Sequence, residues 1–156
     1  MPVASLISKK QPNPTMPSFR ITERVRWIDC DAAKIIYYGA YIRFFEIAET
    51  EMYRSVGLPY SAAFDTLKCF PIRAEYHCNY KTPALLDDLM EISIWVSHWG
   101  TTSFTISFRF LRAETDVVLA EGYCRLVTVG IHDKKKMPIP DLLRQKLARY
   151  SGEVEE

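Results

Sequence analysis

Apolar and polar positions change rhythm several times along the chain, and each change predicts an element. From Phe19 to Ile28 they alternate, with Ile21, Glu23, Val25 and Trp27 on one face and Thr22, Arg24 and Arg26 on the other, which predicts a strand. Tyr41, Phe44, Phe45, Ala48 and Met52 then recur at helical spacing, and Gly57 and Pro59 supply a stop. Residues 61–69 are too short a run to decide, although Ala62, Ala63 and Phe64 favour a brief helix. Alternation returns with Ile72, Ala74, Tyr76, Cys78 and Tyr80 on one face and Arg73, Glu75, His77, Asn79 and Lys81 on the other.

Three further strands follow, at Met90–Val96, Phe104–Phe110 and Val117–Val129, joined by hairpin-sized turns at Trp99–Thr102 and Ala113–Asp116. The last is apolar at both parities, so it is expected to be central or covered on both faces. A terminal helix is expected after Pro140, with Asp141 near its start and Leu142, Leu143 and Leu147 as apolar positions. One antiparallel sheet wrapped around the single aromatic-faced helix buries both apolar surfaces most economically, giving an α+β domain. Its free edges invite pairing between copies, so at least a dimer is expected.

Composition sharpens this outline. The 156 residues suit one domain, and 48% hydrophobic content with eight Phe, nine Tyr and three Trp supplies a core. A single domain is expected over 18–150, between an arm at 1–17, mobile because of Pro2, Pro12, Pro14 and Pro17, and a tail at 151–156. The formal charge of +1 provides no general field for nucleic acid, and no window has the roughly twenty apolar residues of a membrane span. The short apolar run near the start precedes its lysines, which is not a secretory pattern. Cys30, Cys69, Cys78 and Cys124 form no CxxC pair, and His77, His98 and His132 are scattered. Reduced thiols, a cytoplasmic location and no metal or other cofactor are expected.

The candidate chemistry lies between the first strand and the long helix, in Trp27-Ile28-Asp29-Cys30-Asp31 and on to Tyr37-Tyr38-Gly39-Ala40-Tyr41. A carboxylate a few residues before a helix start places an acid near unpaired N–H donors, which suits acyl transfer at a carbonyl. Asp29 and Asp31 are equally explained as turn residues, because Asp bonds readily to nearby backbone. Cys30 lies between two carboxylates that suppress its thiolate, which argues against it as nucleophile. Glu46 and Glu49 could orient a water, although exposed helix carboxylates are the commoner explanation. Lys134-Lys135-Lys136 reads either as a solvated basic turn or as a phosphate contact. No GxSxG, GxGxxG or GxxxxGK[ST] occurs.

From Asp29-Cys30-Asp31 through Tyr41, then Phe45-Glu46, Glu75-Tyr76 to Pro83, and Asp87-Asp88, the chain resembles the hotdog-fold acyl-CoA thioesterases, nearest to their 4-hydroxybenzoyl-CoA thioesterase-like branch. The resemblance runs over roughly residues 19–131. It implies a hotdog fold and hydrolysis of an acyl-CoA thioester, with coenzyme A as part of the substrate. Asp31 is then the catalytic carboxylate and Tyr38 the backbone donor that polarises the carbonyl. Asp29 organises the loop, while Tyr37 and Lys134, Lys135 and Lys136 contact substrate. Many relatives carry His where this chain has Tyr38, and the Tyr leans toward an aromatic acyl group.

Two departures stand out. Relatives usually have Gly where this chain has Lys34, and some have basic residues where it reads Gly100-Thr101-Thr102. Hotdog hydratases pair the Asp with a nearby His, and none lies between Asp31 and Tyr76. The rival of a different class is a hotdog protein that binds an acyl or aromatic ligand without turnover.

Overall fold

The computed structural model describes residues 17–152. The expected arm at 1–17, apart from Pro17, and residues 153–156 of the expected tail lie outside the described residues. Among the described residues there are five strands: β1 (Phe19–Arg24), β2 (Cys69–Tyr80), β3 (Leu89–Trp99), β4 (Ser103–Arg112) and β5 (Val118–Gly130). The helices are α1 (Ala40–Ser55), α2 (Tyr60–Leu67) and α3 (Asp141–Leu147). All strand pairs are antiparallel in the order β1-β3-β4-β5-β2, which leaves β1 and β2 at the edges.

The sheet curls around α1 because both present apolar faces. Tyr41, Phe44, Phe45, Ala48 and Met52 are fully buried, as are Ile92, Ile94, Phe108 and Phe110 on β3 and β4. Aromatic edges interlock across the layer, with Tyr41 5.1 Å from Phe110 and Phe45 5.4 Å from Phe108. Each such side chain contributes about 1.5–3 kcal/mol by leaving water. The undecided stretch at 61–69 is α2 followed by the start of β2; its Tyr60 packs on Tyr53 and Phe64. Strand β5 is an interior strand, as its composition predicted. Gly122 on it lies so close to β2 that a Cβ there would run into the His77 carbonyl. In α3, Leu143 and Leu147 are buried, whereas Leu142 is partly exposed.

Three expectations need correction. Strand β1 ends at Arg24, and Trp27–Asp29 forms a 3-10 turn that leaves Trp27 71% and Ile28 83% exposed. The cause is Asp29, whose Oδ2 accepts the Arg26 N–H at 2.8 Å and closes the turn. In β2, the alternation predicted from Ile72 to Tyr80 breaks at Ala74, where a bulge shifts the register from Arg73↔Leu126 to Glu75↔Arg125. Arg73 is therefore on the inner face with Tyr76, Cys78 and Tyr80, and Ile72 is outside and 47% exposed.

The third concerns Glu49, which is fully buried among the helix's apolar residues, whereas Glu46 is exposed. Arg73 reaches Glu49 at 3.0 Å, and Tyr60 donates its hydroxyl proton to the same carboxylate. Glu49 Oε2 faces Arg73 without hydrogen-bond alignment, and the buried Tyr53 hydroxyl has no partner among the described residues. Burial raises the Glu49 carboxyl above its ordinary value, against the opposing pull of Arg73 and Tyr60.

Candidate active site

The loop from Cys30 to Ile36 is closed by a bridge between those two residues. A second bridge, Ile35 to Leu85, docks it on the β2–β3 connection, where the Ile36 N–H meets the Ala84 carbonyl at 2.8 Å. Asp31 is at the exposed tip; its Oδ1 accepts the Ala33 N–H at 2.8 Å, and its Oδ2 has no partner among the described residues. Lys34 adopts φ 60°, in the left-handed region that favours glycine, and its N–H bonds to the Asp31 carbonyl at 3.0 Å. The turn thus has the conformation a Gly would allow, with a Lys in it.

Asp29 anchors the base of the loop. Its carboxylate is 1% exposed, shared between the Arg26 N–H and the Arg43 guanidinium, and its carbonyl accepts the Tyr37 N–H at 2.8 Å. Tyr38 follows, just before Gly39, the residue that precedes the first turn of α1. Among the described residues, neither the Tyr38 nor the Gly39 N–H has an acceptor, so this junction presents donors together with the positive end of a helix. The Tyr37 ring folds over Gly39, where a Cβ would run into it, and stands 4.9 Å from the Tyr38 ring.

Beside Tyr38 is a cavity of about 250 Å³ lined by Ile36, Tyr38, Tyr41, Tyr80, Lys81 and Pro83. Tyr41 and Tyr80 flank it with ring centres 5.5 Å apart, and the Tyr80 hydroxyl donates to the Tyr38 carbonyl at 3.4 Å. Burial pushes the Tyr41 phenol up to about 12, so it stays protonated at neutral pH. Cys30 is half-buried and its thiol is raised, by burial first and then by Asp29, Asp31 and Asp87, which leaves little thiolate at neutral pH. Among the described residues, no three His, Cys, Asp or Glu side chains converge as a metal site.

The structure brings Asp31, Tyr37 and Tyr38 to one loop and helix start, with Tyr38 on the cavity wall. It does not bring Lys134, Lys135 and Lys136 there within one chain. Their turn follows Gly130, which pairs with Cys69, whereas the cavity's Tyr80 pairs with Ala120. Ten residues of β5 separate the two pairs, about 33 Å at ~3.3 Å per residue. Lys134 donates to the Ile131 carbonyl and lies 4.4 Å from the Phe70 ring centre.

Sequence reasoning missed Tyr41, Tyr80, Lys81 and Pro83 as cavity residues, and Arg43 as the partner of Asp29. The inner-face parity of Tyr80 was visible in the sequence. Its meeting with the helix start depends on how the sheet curls, which no local pattern shows.

The antiparallel sheet curled around α1 is a hotdog fold, and the Synechocystis 1,4-dihydroxy-2-naphthoyl-CoA thioesterase shares it, with a TM-score of 0.77 over 84% of this chain and 96% of that one at 17% identity. A family model described as thioesterase-like superfamily matches residues 25–147. The chain belongs to that superfamily of thioester hydrolases. It is 31% identical over 122 residues to the acyl-CoA thioester hydrolase YbgC of Escherichia coli, covering 78% of this chain and 90% of that protein. It is 25% identical over 132 residues to the 1,4-dihydroxy-2-naphthoyl-CoA hydrolase of Prochlorococcus marinus, covering 80% and 85%.

Proposed function

We propose that this protein hydrolyses an acyl-CoA thioester to the free acid and coenzyme A, using Asp31 as nucleophile or general base and the Tyr38 N–H as carbonyl donor. The reading rests on one arrangement: a carboxylate oxygen and helix-start amides that have no partner among the described residues belong to the same loop and helix junction, beside a tyrosine-walled cavity. Water is the co-substrate. Either Asp31 attacks the carbonyl carbon, expels the thiolate and leaves a mixed anhydride for water to cleave, or it takes the proton of a water that attacks directly. In both routes the carbonyl oxygen gains negative charge, and one such N–H donor is worth about 3 kcal/mol of barrier.

The cavity's size and its Tyr38, Tyr41 and Tyr80 walls suit an aromatic or short acyl group over a long chain. Lys81 at the cavity and Lys34 on the loop are candidate cations for coenzyme A phosphates; Lys134, Lys135 and Lys136 would have to come from a second copy. Asp31, Tyr37 and Tyr38 are exposed in one chain, as are Ile42 and Ile72 along α1 and the β2 edge. Thioester hydrolysis benefits from a site closed to bulk water. A dimer or tetramer that covers this face, working in the cytoplasm, completes the reading.

The alternative, a hotdog protein that holds an acyl or aromatic ligand without turnover, is favoured only by the tyrosine-rich cavity. Thiol release from benzoyl-, 4-hydroxybenzoyl-, acetyl- and decanoyl-CoA, with calorimetric binding alongside, separates the two. Turnover of an aromatic or short thioester is expected. Binding with no thiol release across the panel would favour the ligand-holding alternative.

A further inference from the structure

We propose that Arg43 is a positioning residue for thioester hydrolysis: by gripping Asp29 it fixes the distance between the Asp31 carboxylate and the amide of Tyr38. The proposal rests on the hydrolytic reading above and adds a residue to it.

Asp29 ties together three pieces of chain. Its carboxylate holds the Arg26 N–H on one side and the Arg43 guanidinium on the other, and its carbonyl holds the Tyr37 N–H. Asp31 is two residues beyond this anchor in one direction along the loop, and Tyr38 is the residue after Tyr37. Arg43 is the fourth residue of α1, so its contact is the one that fastens the anchor to the helix body. Without it, the carboxylate remains bonded only to its own 3-10 turn, and the loop can pivot against the helix start.

Arg43 is itself held in place. Its guanidinium stands 4.5 Å from the centre of the Phe44 ring, and its side chain is 44% exposed while Asp29 is 1% exposed. A planar guanidinium suits this position because it can stack on the ring and reach the carboxylate together. Since much of Arg43 is in solvent, its removal disturbs geometry more than it disturbs the core. Misplacement of reacting groups by about 1 Å can cost about a hundredfold in rate.

The test compares the parent protein with Arg43→Met, Arg43→Lys and, as control, Arg54→Met, which breaks an exposed Arg54–Glu51 pair on the same helix. Thiol release from the best acyl-CoA gives kcat and KM, and amide hydrogen exchange is followed over residues 30–39. The expected result for Arg43→Met is a kcat about tenfold lower or worse with KM within about twofold, and faster exchange at Tyr37. Arg43→Lys should recover part of kcat, and Arg54→Met should match the parent.

An Arg43→Met kcat within twofold of the parent overturns the proposal, as does a loss no larger than the fraction of protein unfolded. Unchanged exchange at Tyr37 overturns the clamp whether or not the protein turns over any thioester. A parent protein that releases no thiol while Arg43→Met loosens Tyr37 would sink the hydrolytic reading, and with it any effect of the clamp on rate.

Discussion

Replacing Arg73 with Met should destabilise the protein strongly at neutral pH and weakly in mild acid. Arg73 reaches inward only because the bulge at Ala74 turns it to the core face, where it meets a Glu49 carboxylate that is fully buried. Without Arg73, that carboxylate keeps the Tyr60 hydroxyl and loses the one countercharge it has among the described residues. A buried carboxylate in that position takes up a proton, which caps the cost. From its ordinary value of 4.5, protonation costs about 3.4 kcal/mol at pH 7 and about 0.7 kcal/mol at pH 5, at about 1.36 kcal/mol per pH unit. Because the Arg73 side chain is 40% exposed and the parent's Glu49 is already raised, the net loss should be about 2 kcal/mol at pH 7.

The sign follows from linkage. With the folded value of Glu49 above 4.5, its contribution is fully present below pH 4.5 and is lost as pH rises through the folded value. Removing Arg73 raises that value further and deepens the loss toward neutral pH. Urea unfolding of the parent, Arg73→Met and the double variant Glu49→Leu/Arg73→Met at pH 5, 6, 7 and 8 measures it, with slopes checked for constancy. The single variant should approach the parent at pH 5, and the double variant should recover most of the loss at pH 7. A cost that is independent of pH, or a double variant no better than the single, would show that Arg73 does not act by offsetting the buried Glu49 charge.

Two further predictions concern the loop. Cys30→Ser should keep kcat within about threefold, since the raised thiol is no nucleophile at neutral pH; a hundredfold loss in a folded protein would reverse that assignment. Lys34→Gly should raise the melting temperature by up to a few degrees, because relief of a left-handed residue, about 1–2 kcal/mol, outweighs the ~0.5–1 kcal/mol that Gly loses in chain entropy. A lower melting temperature would show that the Lys34 side chain makes a stabilising contribution larger than its backbone strain.

Sequence periodicity read α1 and the interior position of β5 correctly, because long apolar repeats dominate the local competition. It failed where a local feature redirected the backbone. Asp29 closes a 3-10 turn that ends β1 early, although the residues around it alternate as a strand would. Ala74 carries no mark of a bulge, yet it decides that Arg73 faces the core. Glu49 falls on the buried stripe of α1, between Phe45 and Met52, and this spacing was the signal that it is not a surface residue. The resemblance singled out Asp31 and Tyr38, and the structure puts them on one loop and helix start. The tyrosine cavity was not, since it gathers residues from the loop, the helix and β2 that only the curled sheet brings together.

Whether Asp31 carries the hydrolysis is decided by the rate of thiol release by Asp31→Asn beside the parent, on whichever acyl-CoA the parent turns over best. The substitution keeps the shape and the Ala33 bond while removing the charge that attacks carbon or deprotonates water. A fall in kcat of about a hundredfold or more, with an unchanged melting temperature, is the predicted result. Equal hydrolysis by the two proteins would contradict it.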